Sequence, residues 1–233
     1  MRLPLVSRIV TDLLDVLFPA RCPGCGETIP GGDEERGLIC EACIEAMRQV
    51  RLEPRARVVE GLPVIAACAY EPPLTALVPA AKSTLRPVLL EPLAGELMTV
   101  LSLAGLAEYA EILVPVPLHP ARLRERGYNQ AEVLARLLGQ VLERPVAARA
   151  LKRVANTPPQ KQAGRRERLQ AIEGAFAVGP EGERVRSLRV LLIDDVVTTG
   201  ATLAAARRAL AALKPVGVLA AAVAMTILSK TRY

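Results

Sequence analysis

Apolar positions along the chain form helical-period runs and continuous runs, and together they predict alternating helices and strands. Val6, Ile9, Val10, Leu13 and Leu17 recur at helical spacing around Arg8, Asp12 and Asp15, which predicts a short amphipathic helix packed on its own protein. Leu93 to Leu106 reads as a second helix. Glu111 to Val116 reads as a buried strand ending in the prolines of VPVPL, and a helix starts near Asn129 with Leu134, Leu137, Leu138 and Val141 on one face. Val190 to Ile193 is an unbroken apolar run, the pattern of a central parallel strand covered on both faces. An alanine-rich helix to about Leu213 follows it, with Leu203, Ala206, Leu210 and Leu213 inward and Lys214-Pro215 closing it. Strands separated by helices imply an α/β fold: a mainly parallel sheet with helices on both faces and right-handed crossovers. The longest uncharged run, Pro215 to Ser229, falls short of the roughly 20 residues a membrane span needs. With no unbroken apolar core at the start to serve as an export signal, the expected location is the cytoplasm.

At 233 residues the chain accommodates one large domain, or a large one and a small one. Its 51% hydrophobic and 23% charged residues exclude wholesale disorder. One histidine, His119, rules out paired-histidine metal sites and leaves a single candidate for any Ser-His-Asp triad. The absence of tryptophan and the 3% aromatic content weaken readings that need base-stacking platforms. The net charge of +6 permits a polyanionic partner without establishing one. Between Ala121 and Arg189 there are 15 basic and 7 acidic residues, so the whole surplus is expected around one anion site.

Cysteine use is uneven. Cys22, Cys25, Cys40 and Cys43 form two C-x-x-C pairs, each expected on a tight turn, with Gly24 and Gly26 letting the first one bend. Two such pairs supply four thiolates for a closed tetrahedral zinc site, and with no open position the metal is structural. The segment around them has few large apolar residues, so zinc would supply its folding energy. A zinc-ribbon-like module over residues 1–50 is expected, then a charged linker from Arg51 to Arg57, then one α/β domain over 58–233. Cys68, in LPVIAACAY, reads as a buried small hydrophobe.

The most informative stretch is RVLLIDDVVTTGATL, Arg189 to Leu203. Asp194 and Asp195 follow the apolar run, at the strand end where open α/β sheets place ligands. Thr198, Thr199, Gly200, Ala201 and Thr202 then form a turn of small residues entering a helix. Backbone N–H groups there converge, hydroxyls add donors, and the helix dipole favours an anion. Carboxylates would repel a phosphate but suit sugar hydroxyls, so the ligand implied is a ribose 5-phosphate group. Upstream, HPARLRERGYNQAEV places Arg122, Arg124, Arg126 and Gly127 in a loop at the same sheet edge, where arginine can hold a pyrophosphate bidentately.

LLIDDVVTTGAT resembles the phosphoribosyl-pyrophosphate (PRPP) motif of the type I phosphoribosyltransferases. Together with VPVPLHPARLRERGYNQAEVLA and the cysteine pairs, it resembles the ComF family of amidophosphoribosyltransferase-like proteins, whose members are associated with natural competence and DNA uptake. The resemblance implies a type I phosphoribosyltransferase-like fold, PRPP held by residues 194–202 and a pyrophosphate-side loop near Leu118 to Asn129. Mg²⁺ would be carried largely by PRPP's own oxygens. It also implies that ALKRVANTPPQKQAGRRERLQAIEGAFAV is a β-hairpin closing over the reacting centre, with Arg153, Thr157, Gln160, Arg168, Gly174 and Phe176 matching the family and Ala163 and Ala171 departing from it. Lys82 matches a family lysine, although Ser83, Thr84 and Leu85 stand where the family usually has an aromatic residue and a glycine. Two functions stay open: phosphoribosyl transfer to an unnamed acceptor, and a DNA-uptake factor that binds single-stranded DNA or competence-machinery proteins and keeps the PRPP site as sensor or relic.

Overall fold

The computed structural model describes residues 20–29, 39–83, 87–155 and 174–227. The helix expected near Val6 to Leu17 lies outside them. In chain order the elements are α1 (Glu41–Gln49), β1 (Arg57–Val59), β2 (Leu62–Ala69), α2 (Leu74–Ala81), α3 (Leu90–Leu103), β3 (Ile112–Pro115), α4 (Pro120–Arg126), α5 (Gln130–Leu142), β4 (Leu151–Arg153), β5 (Phe176–Val178), β6 (Arg189–Val197), α6 (Ala201–Ala211) and β7 (Gly217–Met225). Five strands form one sheet in the order β1-β2-β7-β6-β3. All its pairings are parallel except that of β1, which returns antiparallel along β2. β4 and β5 form a separate antiparallel pair.

Alternation along the strands makes two cores. Leu113, Leu191, Ile193, Leu219 and Ala221 face α3 and α5, where Leu93, Leu97, Leu101, Leu134 and Leu138 meet them. Their neighbours Ile112, Val114, Val190, Leu192, Ala220 and Ala222 face the other way, onto Leu203, Ala206 and Leu210 of α6 and onto Leu151 and Phe176. Side chains two residues apart share a face, so a strand apolar at every position must be covered on both sides. The expected α/β architecture is therefore present, with helices on both faces.

The long uncharged run becomes β7, a central strand between β2 and β6. Its alanines suit that place, because two neighbouring strands and helices on both sides leave little room. Among the described residues, no helix is long and apolar enough to cross a membrane. On α5 the inward face is Ala131, Leu134, Ala135 and Leu138, whereas Leu137 is only partly buried and Val141 is exposed. The inward stripe is turned around the helix relative to the one the sequence implied, with Ala131 and Ala135 taking the places expected of Leu137 and Val141.

The stretch expected as a charged linker is bonded to the sheet at its start. Leu52 N–H donates to Ala67 O, Ala69 N–H donates to Val50 O, and Arg51 pairs antiparallel with Cys68. The Arg51 guanidinium also clamps the buried Glu96 of α3, Nη2 to Oε2 at 2.6 Å. Residues 50–52 thus extend the edge of the sheet beyond β1 and seat α1 on the main core.

Candidate functional site

The cysteines converge as their spacing predicts. The four Sγ atoms lie within 4.8 Å of one another, with Cys25 and Cys40 at 3.5 Å. A tetrahedron with Zn–S bonds of about 2.3 Å has sulfur–sulfur edges of roughly 3.8 Å, so the cluster fits zinc closely. The first pair sits on a tight turn: Cys22 N–H donates to Glu27 O, and Gly26 N–H donates back to Cys22 O. Gly26 has φ 81, and a methyl on Gly24 would lie 2.7 Å from Cys43 Sγ. Gly24 is therefore needed for room and Gly26 for backbone conformation. The second pair is a helix start rather than a turn: Cys40 occupies the N-cap position of α1 and Cys43 lies in its first turn.

Burial works to raise the Cys22 thiol, but hydrogen bonds from the backbone at Cys40, Cys25 and Gly24 overcome it and lower the thiol to about 6. Cys43 is pushed upward by burial and by its three sulfur neighbours. One thiolate is easily accommodated and a second is resisted, which is the demand a divalent metal relieves. Ile29, Ile39 and Met47 support the cluster by joining the core that contains Leu74 and Leu77 of α2. Cys68 is fully buried; its thiol donates to Met47 O, and burial pushes it up to about 12. It is a packing residue, as expected.

The second centre is built on β6, which runs on through both aspartates to Val197. Asp194 and Asp195 thus sit near the end of a central strand, at the carboxyl edge shared with β2, β7 and β3. Asp194 Oδ1 accepts the N–H of Asp195 at 2.9 Å, and Asp195 Oδ1 accepts that of Val196 at 2.8 Å. The other Asp195 oxygen, Oδ2, is 2.7 Å from Lys82 Nζ. Burial, followed by the adjacent Asp195 carboxylate, pushes Asp194 up to about 8.

Thr198 and Thr199 are exposed at the turn, and Gly200 precedes α6 in the left-handed region at φ 77. Thr199 Oγ1 accepts from Ala201 N–H at 3.5 Å, and Thr202 lies in the first helical turn. Glycine is required at 200 by a neighbouring strand. The direction a side chain would take is filled by Val59 of β1. The glycine admits a neighbouring strand, and its backbone conformation turns the chain into the helix.

Arg122, Arg124 and Arg126 do not lie in a loop. They belong to the short helix α4, capped by His119, whose Nδ1 accepts from Ala121 N–H at 3.2 Å. Proline at the first helical position and Gly127 at φ 83 after the last define its two ends. His119 therefore caps this helix. Arg124 is exposed, and Arg126 donates to Gln130 Oε1 at 2.7 Å. Arg122 acts on Arg153, which Asp194 also acts on: burial, and Arg122 after it, hold the Arg153 guanidinium below its usual value, while Asp194 opposes them. Arg153, at the end of β4, lies 5.4 Å from the centre of the Phe176 ring on β5. The connecting residues 156–173, including Thr157, Gln160 and Arg168, lie outside the described residues, as do Thr84, Leu85 and Arg86.

The expectation that the whole basic surplus surrounds this site is corrected. Arg144 donates to Ala110 O, Arg189 pairs with Glu111, and Arg186 pairs with Glu183. All three sit near the amino ends of β3 and β6, at the other end of the sheet from Asp194. A count along the sequence cannot tell the two ends of a strand apart.

Sequence reasoning missed the tie between Lys82 and Asp195, although the family lysine was its signal. It also missed two anchors beside the arginine helix. Tyr128 donates its hydroxyl to Ala81 O and approaches Ser83 O at 3.2 Å; buried Asn129 donates to Val116 O at 3.0 Å and caps α5.

A double zinc ribbon model matches residues 13–63, running past residue 50 into the first two strands. DNA utilization protein YhgH of Salmonella typhi is 30% identical over 186 residues, which cover 71% of this chain and 81% of that protein. The chain belongs to the ComF family. Within the family, Competence protein F of Haemophilus influenzae is 39% identical over 93 residues, covering 40% of this chain and 41% of that protein. Among solved structures, a purine phosphoribosyltransferase from Pyrococcus horikoshii Ot3 aligns over 60% of this ComF-family chain and 76% of its own, at 16% identity and a TM-score of 0.37.

Proposed function

We propose that this chain binds PRPP, or another ribose 5-phosphate ligand, at the carboxyl end of β6 and transfers the phosphoribosyl group to an acceptor during the handling of incoming DNA. The observation that carries this reading is the run of Asp194 and Asp195 into the Thr198–Gly200 turn, with Lys82, Arg122 and Arg153 drawn to it from three other elements. Asp194 and Asp195 take the ribose hydroxyls. The backbone N–H groups of Gly200, Ala201 and Thr202, with the hydroxyls of Thr198 and Thr199, take the 5-phosphate. Arg122 takes the pyrophosphate, with Arg124, Arg126 and the backbone at Gly127 at the rim.

In the transfer, the bond from the anomeric carbon to pyrophosphate oxygen breaks with both electrons leaving on the pyrophosphate. The acceptor's lone pair makes the new bond at that carbon. Cations held where the leaving charge grows would favour the transition state over the ground state. Two carboxylates, one already paired with a lysine and the other near Arg153, are a poor all-protein cage for Mg²⁺ but suit an ion carried by the substrate's own oxygens. When bound, that ion would help neutralise the leaving pyrophosphate. The four-cysteine module is structural, and its thiolates suit a reducing cytoplasm.

The names of the relatives, a competence protein and a DNA utilization protein, favour a second reading. In it the zinc module and basic residues bind single-stranded DNA or a protein of the uptake machinery, and the PRPP site senses its ligand without turnover. Calorimetry with PRPP and Mg²⁺, comparing wild type with Asp194→Asn/Asp195→Asn, tests the ligand; no aspartate-dependent heat would end the phosphoribosyl reading. Pyrophosphate release with a panel of nucleobases and amines tests transfer. PRPP binding without release, alongside salt-sensitive DNA binding, would favour the second reading.

A further inference from the structure

We propose that Lys82 is the residue by which this site distinguishes a ribose bearing an anomeric diphosphate from one that lacks it. The inference rests on the phosphoribosyl reading and deepens it. Three of the four carboxylate oxygens on Asp194 and Asp195 have a defined partner among the described residues. Two accept the N–H of the next residue along the strand, contacts that a ligand entering from outside leaves in place. The third, Asp195 Oδ2, accepts from Lys82 Nζ at 2.7 Å, and Lys82 comes from a separate element. A sugar diol arriving at Asp195 therefore meets an oxygen already held by an ammonium ion.

The ammonium is also held in place through its backbone. Lys82 directly follows α2, and its neighbours Ala81 and Ser83 offer their carbonyls to the Tyr128 hydroxyl. Tyr128 directly follows Gly127, the residue that ends the arginine helix. Lys82 and the proposed pyrophosphate side are thus linked through one phenol, and the lysine stem is two-thirds covered, with 33% of its side chain exposed. Lysine cannot simply swing into water without giving up a charge-assisted bond.

The consequence depends on the ligand. A ribose 5-phosphate must displace Lys82 and offers it nothing in return. A ligand with a diphosphate on the anomeric carbon displaces it and supplies a new anion close by. Lysine suits this exchange, being a compact point charge on a flexible stem that can change partners without the planar match a guanidinium needs. Tyr128 is a positioning residue in this scheme, keeping the backbone on which Lys82 pivots beside Asp195.

The test is calorimetry of wild type, Lys82→Met and Lys82→Arg with PRPP and Mg²⁺, and separately with ribose 5-phosphate. A hydrogen bond to a charged group corresponds to roughly a tenfold change or more in affinity. Lys82→Met is expected to lose about tenfold for PRPP and to gain about threefold for ribose 5-phosphate, so that the two affinities move in opposite directions. Lys82→Arg should keep most of the preference. If Lys82→Met weakens both ligands by the same factor, or changes neither, the inference is wrong while the phosphoribosyl reading stands. If wild type binds neither ligand, both fall. Should Lys82→Met fold poorly, Lys82→Gln carries the same comparison, since it keeps the stem and removes the charge.

Discussion

Gly200 lies directly against Val59: the Val59 Cβ sits 3.3 Å from the point where a side chain on residue 200 would begin, and its Cγ1 sits closer still. The contact joins the motif turn to β1, the antiparallel edge strand. Gly200→Ala therefore meets two separate penalties. The left-handed backbone at φ 77 costs a non-glycine residue about 1–2 kcal/mol, and the methyl-on-valine overlap adds about 1–3 kcal/mol. Val59→Ala should relieve the second penalty and leave the first. Urea denaturation of both single variants and the double variant checks this, and purely additive losses would refute the contact.

Zinc is expected at about one equivalent per purified chain, since the four thiolates make one tetrahedral cluster among the described residues. Replacing Cys22 and Cys40 by serine should abolish it. Gly24→Ala should also weaken retention, because the added methyl would sit 2.7 Å from Cys43 Sγ and drive that ligand away. Stripping the metal should loosen Ile29, Ile39 and Met47, which belong to the same core as α2, and lower the cooperativity of thermal unfolding. Elemental analysis with a metal-release dye measures the first two effects and calorimetry the third.

The architecture and the two chemical centres were legible in sequence for different reasons. C-x-x-C pairs and the strand-acid-turn-helix order are local, so Cys22 to Cys43 and Asp194 to Thr202 could be placed without tertiary knowledge. Arg122, Arg124 and Arg126 look like loop residues only when proline at 120 and glycine at 127 are read as breakers rather than as the ends of a short helix. The part Lys82 plays depends on Asp195, far away along the chain, and no periodicity records which strand end a helix returns to. Arg144, Arg186 and Arg189 mislead for the same reason. They are close in sequence to site elements and lie at the far end of the strands.

Glu96 is buried on α3, with Arg51 as its partner. Glu96→Ala should destabilise the protein by about 2 kcal/mol, below the roughly 3–5 kcal/mol typical of breaking a fully buried pair, because Arg51 keeps some contact with water. Glu96→Gln should cost less, since the amide oxygen can still accept from the guanidinium. The loss should appear first as faster exchange of the amides of Leu52 and Ala69, whose bonds join this edge segment to β2. Amide hydrogen exchange under native conditions would register it, and uniform acceleration across the sheet would argue against a local role for the pair.

Asp194 gives the stability of the protein a pH dependence of defined sign. Its ordinary value is 3.8, and in the folded chain burial, with Asp195 adding to it, pushes it up to about 8, while Lys82 pulls the other way. The folded state therefore holds a proton that the unfolded state releases, and the Asp194 contribution to stability falls as pH rises from about 4 to about 8, then levels off. Asp194→Asn should remove this slope. The variant gains on wild type through that window and keeps a constant advantage above it. Lys82 bears on this carboxyl from the Asp195 side, and Arg153 is the guanidinium that Asp194 itself holds up. Asp195→Asn should narrow the window from its alkaline end by removing the second cause and leaving burial. Urea midpoints measured every half unit from about pH 4 to about pH 9 resolve these cases. A wild-type minus Asp194→Asn difference that stays flat over that range would mean that Asp194 is ionised in the free protein, ready to accept from a ribose without first losing a proton.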